Sequence, residues 1–387
     1  MARRFEYAIV GGGAATATAA EAIRSHDATG SLAIFTKEWA PPYQRPPLSK
    51  EFLQGRARLE DALMFPATWY LQHGVDLFVG VQVLEIDAAQ KRLLTEAGDI
   101  EYGRLLLATG ATPRRLKLAG SELDGVYMLR DYLDALRMRG ARSSAQRIVM
   151  IGSGFIGMEV AASLRSGGCE VTVVTIDPAL YARFGREVSE YAKRLFDQHG
   201  IRTLLETSVA SIDGKDRVAG VTLKNGDRIE ANAVIIGIGV SPEAALAQAA
   251  GIRVEDGIVV DDRLRTSIAD IYAAGDVARF PGIDGHLVRV EHFDHAYASG
   301  AAAGANMAGV DRPYRYVPFF WSDVFELSFE FVGDPAGDSK IVQGTLESGS
   351  FIVEYREGEQ LRGALLARRT PEERDAYRDR LGSAAVR

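Results

Sequence analysis

Two segments of this chain repeat one pattern, in which a short apolar run turns through glycines into a helix rich in small residues. The first is Tyr7–Arg24, "YAIVGGGAATATAAEAIR", and the second is Ile148–Arg165, "IVMIGSGFIGMEVAASLR". A continuous apolar run is typical of a buried parallel strand. Strand, glycine turn and helix, found twice, predict an α/β chain with two Rossmann-like dinucleotide-binding domains.

The glycines of each turn have separate physical roles. The first one, Gly11 or Gly152, permits the tight turn, and the next, Gly13 or Gly154, lets the backbone approach a pyrophosphate. The helix that follows offers free N–H groups and the positive end of its dipole to that anion. A lone motif of this kind is weak evidence, but two copies in the same context predict two nucleotide sites.

The third position of the motif and the expected acid differ between the copies. The third position is Gly157 in the second copy and Thr16 in the first. An acid at the end of the next strand usually binds ribose hydroxyls. Glu38 follows the first copy, whereas the second has Thr175 at the usual place and Asp177 two residues later. Either acid could instead be a solvated loop charge.

Two later apolar runs end in small residues, which allow backbone to approach a flat ligand. They are Leu105–Arg115, "LLLATGATPRR", and Ile271–Pro281, "IYAAGDVARFP". Asp276 in the second run could accept hydrogen bonds from ligand hydroxyls, or cap a helix.

Composition narrows the class of protein. The 387 residues are 47% hydrophobic and 25% charged, with a formal net charge of −7, which argues against a nucleic-acid partner. Cys169 is the single cysteine, so neither an internal disulfide nor a cysteine metal cluster can form. No apolar run reaches the ~18 residues of a membrane span. The first strand begins at once, without room for a signal peptide, and a cytoplasmic protein is expected.

A proline-rich loop surrounds two cations. Ala40–Leu53, "APPYQRPPLSKEFL", holds Arg45 and Lys50 among four prolines. Because proline fixes φ and lacks a backbone donor, this loop is stiff and outside helices and sheets. The alternative to a ligand-positioning loop is a connector with surface charges.

These motifs together resemble the FAD-dependent pyridine-nucleotide reductases. The order GGG…E, "RPPLSK", "ATG", GxGxxG, "AAGD", "VEHFDHA", "FFWSD" is most similar to the branch of ferredoxin reductases, apoptosis-inducing factor and monodehydroascorbate reductase. The resemblance covers about residues 7–333. It implies an FAD domain (1–114 and 240–312), an inserted NADH domain (115–239) and a C-terminal α+β interface domain (313–387).

The resemblance also implies roles for the loop. Arg45 would hold the adenosine or pyrophosphate part of FAD, and Lys50 would lie beside the flavin ring near N5, paired with Glu159. A cation there stabilises the negative charge that the ring gains with a hydride. Trp321 would pack near the flavin, and Lys50, Glu159 and Trp321 form the expected catalytic group.

The remaining expected ligand contacts follow from the same resemblance. For FAD they are Gly11, Gly13, Ala14, Ala15, Glu38, Arg45, Lys50, Val83, Ala108, Thr109, Gly110, Arg130, Asp276, Glu291, His292 and Trp321. For NADH they are Gly152, Gly154, Phe155, Ile156, Gly157, Glu159, Asp177, Arg183 and Gly239. His292 and His295, with Glu291 and Asp294, could also suit zinc, but the resemblance favours flavin contacts and no metal.

The absence of a redox cysteine pair predicts the route of the electrons. A thiol relay is excluded, so electrons leave the flavin directly for an acceptor. The first candidate acceptor is a small [2Fe-2S] ferredoxin or a rubredoxin, and the second is a small radical or quinone. The third interpretation is an NADH-sensing interaction module like apoptosis-inducing factor, with slow turnover. NADH is preferred over NADPH because the carboxylate of Asp177 repels a 2′-phosphate. A monomer or homodimer is expected.

Overall fold

Three large sheets organise the chain in this computed structural model, which describes residues 3–144 and 146–384. The N-terminal segment forms β1 (Arg3–Val10), α1 (Ala14–His26), β2 (Leu32–Thr36), α2 (Leu59–Ala62), α3 (Ala67–Gln72), β3 (Val75–Val79), β4 (Val83–Asp87), β5 (Arg92–Thr95), β6 (Gly98–Leu107) and β7 (Ala111–Pro113). The next segment forms β8 (Val126–Tyr127), α4 (Tyr132–Ser144), β9 (Arg147–Ile151), α5 (Phe155–Ser166), β10 (Glu170–Val174), α6 (Arg186–Gln198), β11 (Arg202–Leu204), β12 (Val209–Gly214), β13 (Val218–Leu223), β14 (Arg228–Glu230) and β15 (Ala233–Ile236).

The chain then returns towards the first sheet and ends in a third one. The returning segment forms β16 (Val240–Pro242), α7 (Ala245–Ala249), β17 (Ile258–Val259), β18 (Ile271–Ala273), β19 (Ala278–Pro281), β20 (Leu287–Arg289) and α8 (Phe293–Met307). The last segment forms β21 (Phe319–Val324), β22 (Leu327–Gly333), β23 (Ser339–Thr345), β24 (Ser350–Glu357), β25 (Gln360–Ala367) and α9 (Pro371–Ala384).

The first sheet has the order β3-β2-β1-β6-β5-β4, and β18 also pairs with β6. Its strands β1, β2, β3, β6 and β18 are parallel to one another, whereas β5 pairs antiparallel with both β4 and β6. Every residue of β2 is buried, which explains the uninterrupted apolar run LAIFT. Because β18 comes from the returning segment, that segment completes the sheet begun by the N-terminus.

Small residues bring α1 and α8 close together behind this sheet. A Cβ atom at Gly300 would lie 2.3 Å from the carbonyl oxygen of Ala15, and one at Gly304 would lie 2.3 Å from that of Ala19. The backbones therefore pack at a distance that a larger residue would prevent. This contact fixes the start of α1, and with it the first glycine turn.

The second sheet, β11-β10-β9-β15-β8, is parallel throughout and lies next to the antiparallel sheet β12-β13-β14. The chain crosses between the first and second sheets twice, and β7 pairs with β16 at the two crossings. The third sheet, β21-β22-β25-β24-β23, is antiparallel and carries α9. The predicted α/β class with a C-terminal α+β part is confirmed, while the domain boundaries stay a prediction.

Candidate functional site

A cavity of about 770 Å³ lies where the three sheets meet. This volume is within the ~300–1,000 Å³ that ligand pockets usually have. Of the residues predicted to bind FAD or NADH, all line the cavity except Gly152 and Asp177. The fold thus brings together positions that are as far apart in the chain as Gly11 and Trp321.

The two glycine turns show where a ligand can approach the backbone. A Cβ atom at Gly11, where φ is +150°, would lie 2.2 Å from the carbonyl oxygen of Ala108, and one at Gly152 would lie 2.3 Å from that of Gly237. These first glycines are required by packing. By contrast, a Cβ atom at Gly13 or Gly154 would meet nothing within 4 Å. The second glycines therefore face open space at the starts of α1 and α5, as binding of a pyrophosphate at each turn requires.

The end of the cavity near β2 is lined by a network of charged groups. Glu38 accepts hydrogen bonds from the Tyr43 hydroxyl and from Arg45, with which it forms an ion pair. Arg45 also donates to the backbone oxygen of Arg130 at 2.7 Å, and Arg130 lies 3.6 Å from Asp276. Glu38, Tyr43 and Arg45 contact one another, and Arg130 links them to Asp276, an arrangement of charges that suits a ribose and an adjoining phosphate.

Asp276 and Tyr43 depart from what the sequence suggested. Asp276 lies inside a short 3₁₀ turn, Gly275–Val277, whose N-cap is Ala274, so the alternative that Asp276 caps a helix is wrong. Tyr43 was not singled out, although it is fully buried and also accepts a hydrogen bond from the backbone N–H of Tyr132 at 2.9 Å. A tyrosine between prolines in the Ala40–Leu53 loop was the available signal.

Lys50 lies at the other end of the cavity, between two carboxylates. Its Nζ is 3.3 Å from Oε1 of Glu159 and 3.1 Å from Oδ2 of Asp323. Burial disfavours the charge on Lys50, but the two carboxylates outweigh burial and raise the pKa of the ammonium group above its usual value. Glu159 also accepts hydrogen bonds from the hydroxyls of Ser49 at 2.6 Å and Ser322 at 2.9 Å. The predicted Lys50–Glu159 contact is therefore present.

Sequence reasoning missed Asp323, which belongs to the motif "FFWSD" but was not assigned a role. Successive residues of a strand point to opposite faces, so Trp321 and Asp323 share one face of β21. Lys50 Nζ is 5.9 Å from the centre of the Trp321 ring, within reach of a cation–π contact. The alternation along β21 was the signal that could have linked Asp323 to Lys50.

Aromatic rings form the wall between the two glycine turns. Phe320 stacks on His292 with 4.5 Å between ring centres and contacts Phe155 at 4.6 Å. Burial, and secondarily the charge of Arg183, lowers the pKa of His292 to about 4, so the ring is neutral near pH 7. Flat, apolar and neutral surfaces of this kind suit the packing of ligand ring systems.

His295 occupies a different environment from His292. It is fully buried, stacks on Phe280 at 4.7 Å, and its Nδ1 lies 3.0 Å from the Tyr314 hydroxyl. His295 does not line the cavity, so the geometry does not favour the expected contact between this histidine and the flavin. Within residues 3–144 and 146–384, no group of three or more histidine, cysteine or acidic side chains is arranged to hold a metal ion.

Asp177 lies just outside the cavity, beside the second glycine turn. Its Oδ2 accepts hydrogen bonds from the hydroxyls of Ser153 at 2.7 Å and Thr175 at 3.0 Å. Because Ser153 belongs to the turn itself, the carboxylate is held against the second glycine turn.

Cys169 is buried at the start of β10 and does not line the cavity. Burial raises the pKa of its thiol, which keeps it protonated and unreactive. None of the helices in the described parts of the chain has the length and apolar character needed to cross a bilayer.

Comparisons with known proteins agree with this geometry. The chain is 40% identical to rhodocoxin reductase from Rhodococcus erythropolis over 89% of this chain and 82% of that protein. It is 36% identical to peroxisomal monodehydroascorbate reductase 4 from Arabidopsis thaliana, over 96% and 81% of the two chains. The crystal structure of the ferredoxin reductase for the CYP199A2 system from Rhodopseudomonas palustris superposes with a TM-score of 0.91 at 33% identity, covering 95% and 92%.

A family model matches most of the chain. The model described as pyridine nucleotide-disulphide oxidoreductase covers residues 5–300, which include both glycine turns. The match confirms the predicted resemblance and the predicted use of FAD and a nicotinamide nucleotide by an oxidoreductase. The cavity fits such ligands, since Gly13 and Gly154 both line it with open space in front of them. The chain belongs to the pyridine nucleotide-disulphide oxidoreductase family.

Proposed function

We propose that this protein is an FAD-dependent reductase that takes electrons from NADH and delivers them to a small iron–sulfur protein, a ferredoxin or a rubredoxin. The observation that carries the proposal is the single cavity that joins two dinucleotide turns and has Lys50 and Trp321 in its wall. One nucleotide turn would serve a resident cofactor and the other a diffusing one.

FAD, when bound, accepts a hydride as an electron pair and releases single electrons, which no side chain of this protein can do. The proposed holding residues are Gly13 and the N-terminus of α1 for the pyrophosphate, and Glu38 for the ribose. Arg45, fixed by Glu38 and the Arg130 backbone, supplies positive charge beside the phosphates. Lys50 would present its ammonium group to the edge of the flavin ring.

NADH would bind on the side of the second turn. Gly154 and the N-terminus of α5 face the space proposed for its pyrophosphate, and Asp177 is held beside that turn for a ribose hydroxyl. A carboxylate at this position repels a 2′-phosphate, which favours NADH over NADPH. Phe155 lies between the turn and Phe320, where it would cover the ring of the incoming nucleotide.

The proposal of an iron–sulfur partner rests on the route that electrons can take out of the cavity. The single thiol, Cys169, is buried away from the cavity, so it cannot relay electrons. Trp321 lines the cavity and is partly exposed, which makes its face of the protein a place where an acceptor can approach closely. The structural relative with 33% identity is itself named a ferredoxin reductase.

A small-molecule acceptor is the second candidate, because the similarity to a monodehydroascorbate reductase extends over 96% of this chain. We further propose a cytoplasmic site of action, where NADH and small iron–sulfur carriers occur together. Fractionation of the source cells tests that location directly.

Cytochrome c reduction in the presence of NADH tests the acceptor. The proposal predicts slow reduction by the purified protein alone and fast reduction after addition of a [2Fe-2S] ferredoxin. Fast turnover with a quinone or with the monodehydroascorbate radical, and none with ferredoxins or rubredoxins, favours the second candidate. Slow turnover with every acceptor, accompanied by NADH-dependent dimerisation, would point to a sensing module.

A further inference from the structure

Lys50 is balanced by two carboxylates that differ in their access to solvent. The side chain of Glu159 is 7% exposed, whereas that of Asp323 is 42% exposed. Both lie within ion-pair distance of the same ammonium group, at 3.3 Å and 3.1 Å. One ammonium group therefore faces two carboxylates: burial raises the pKa of Glu159 above its usual value, whereas Asp323 is open to solvent.

The two carboxylates are held by separate sets of hydroxyl groups. Ser49 and Ser322 both donate to Glu159, so that carboxylate remains well satisfied in its buried position. Asp323 accepts a hydrogen bond from Ser328 at 2.7 Å across the β21–β22 hairpin. Asp323 does not line the cavity, although it lies on the same face of β21 as Trp321, which does.

We propose that Asp323 is a positioning residue for Lys50, which fixes the ammonium group and lowers the positive charge that Lys50 presents to the cavity. This inference rests on the proposed function and concerns the electron affinity of the bound flavin. A flavin that takes up a hydride gains negative charge, so a neighbouring cation favours reduction. The Lys50 side chain is only 11% exposed, so water screens its charge weakly, and removing one of its counter-ions should shift the potential of the flavin ring.

The central experiment measures the midpoint potential of the flavin in the holoenzyme. Asp323→Asn keeps the shape of the side chain and an acceptor for Ser328, but removes the charge. We expect the potential to rise by at least about 30 mV, which corresponds to a tenfold change in a two-electron equilibrium. Asp323→Glu should return the potential to near its original value. An unchanged potential in Asp323→Asn overturns the proposal.

A matched control removes a carboxylate of similar exposure from the same sheet. Oδ2 of Asp334 lies 4.0 Å from Nη2 of Arg362, and the Asp334 side chain is 54% exposed. Asp334→Asn should leave the potential unchanged. An equal rise in Asp323→Asn and Asp334→Asn would mean that net charge alone acts, which would also overturn the role assigned to Asp323.

Ser328→Ala separates geometry from charge and remains informative if Asp323→Asn folds poorly. The variant retains both carboxylates but removes the hydroxyl that holds Asp323 in place, so Asp323 is fixed less firmly beside Lys50. We therefore expect the potential to rise, but by less than in Asp323→Asn. No rise in Ser328→Ala contradicts the inference, whether or not Asp323→Asn can be measured. Flavin uptake and ferredoxin reduction are measured on the same preparations. If the potential shifts as expected but no preparation reduces ferredoxin, the proposed partner alone is rejected. If the unaltered protein takes up no flavin, the proposed function itself is rejected.

Discussion

Lys50 and Glu159 form an ion pair with 3.3 Å between Nζ and Oε1, and both side chains are nearly fully buried. The two residues belong to distant segments of the chain. Lys50 lies in the proline-rich loop, directly after its 3₁₀ turn Pro46–Ser49, and Glu159 lies on α5 beyond the second glycine turn. The pair therefore ties the loop near the first nucleotide turn to the helix of the second. Its loss should affect both stability and the site.

Glu159→Ala should destabilise the protein by about 3 kcal/mol, the lower end of the range for breaking a buried ion pair, because Asp323 still faces Lys50 in the variant. Ser49 and Ser322 lose their acceptor in the same variant. Urea unfolding measures the change. The control is Glu190→Ala, which removes an exposed pair with Arg186 worth about 0–1 kcal/mol. Similar losses in the two variants would contradict the importance of the buried pair.

Gly13→Ala and Gly11→Ala should fail in different ways. At Gly13 a methyl group meets no protein atom but enters the space proposed for the FAD pyrophosphate. We expect a folded protein whose affinity for FAD is about tenfold weaker or worse, a loss of about 1.4 kcal/mol or more. At Gly11 the methyl group clashes with Ala108, so the fold itself should suffer.

Flavin content and circular dichroism distinguish the two glycine variants. The account is wrong about the first turn if Gly13→Ala retains FAD as well as the unaltered protein does. Gly154→Ala supplies the matched change in the second turn. It should keep its FAD and instead raise the KM for NADH.

Asp177→Asn should weaken discrimination between the two nicotinamide nucleotides. A hydrogen bond to a charged group contributes about 1.5–3 kcal/mol, so KM for NADH should rise by about ten- to a hundredfold while kcat changes little. The KM for NADPH should fall, since the repulsion of the 2′-phosphate is removed. The control is Glu170→Gln, at the exposed start of β10, the strand that precedes Asp177. An unaltered ratio of the two KM values would remove Asp177 from the site.

The stability of the protein should decrease as the pH falls below about 6.5, because His295 is buried in its neutral form. Burial, and secondarily the charge of His292, lowers the pKa of His295 to about 3. Its folded pKa lies below the unfolded value, so the unfolded state binds more protons between these two values. The free energy of unfolding should therefore fall by on the order of 4 kcal/mol from this group between pH 6.5 and pH 3.

The variant His295→Phe tests this assignment through the slope of stability against pH. Phenylalanine can keep the stacking on Phe280 but cannot take up a proton, so the slope should flatten. His26→Gln, which changes an exposed histidine, should leave the slope as it is. Equal slopes for the protein and His295→Phe would show that other groups control the acid sensitivity.

The sequence predicted the parts of the site that local patterns encode. Strand, glycine turn and helix are adjacent in the chain, so Gly13 and Gly154 could be assigned from spacing alone. The nucleotide-binding role of Asp177 stays a prediction, and the two hydroxyls that hold it beside the turn could be seen only in the structure.

Contacts between distant segments lay beyond sequence reasoning. Alternation along β21 places Asp323 on the face of Trp321, but only the structure shows that Asp323 meets Lys50 of the proline-rich loop. Tyr43 likewise joins its sequence neighbour Glu38 to the start of α4, 89 residues away. His295 resembled His292 in sequence, yet it lies one helical turn further, on the face of α8 that is turned into the core.

The most direct test of the account is anaerobic rapid mixing of the flavin-loaded protein with NADH and then with an oxidised [2Fe-2S] ferredoxin, followed at flavin wavelengths. The account predicts rapid bleaching by NADH, much slower bleaching by NADPH, and recovery of the yellow colour as the ferredoxin becomes reduced. Bleaching that persists in the presence of ferredoxins and rubredoxins alike would contradict the proposed transfer of electrons.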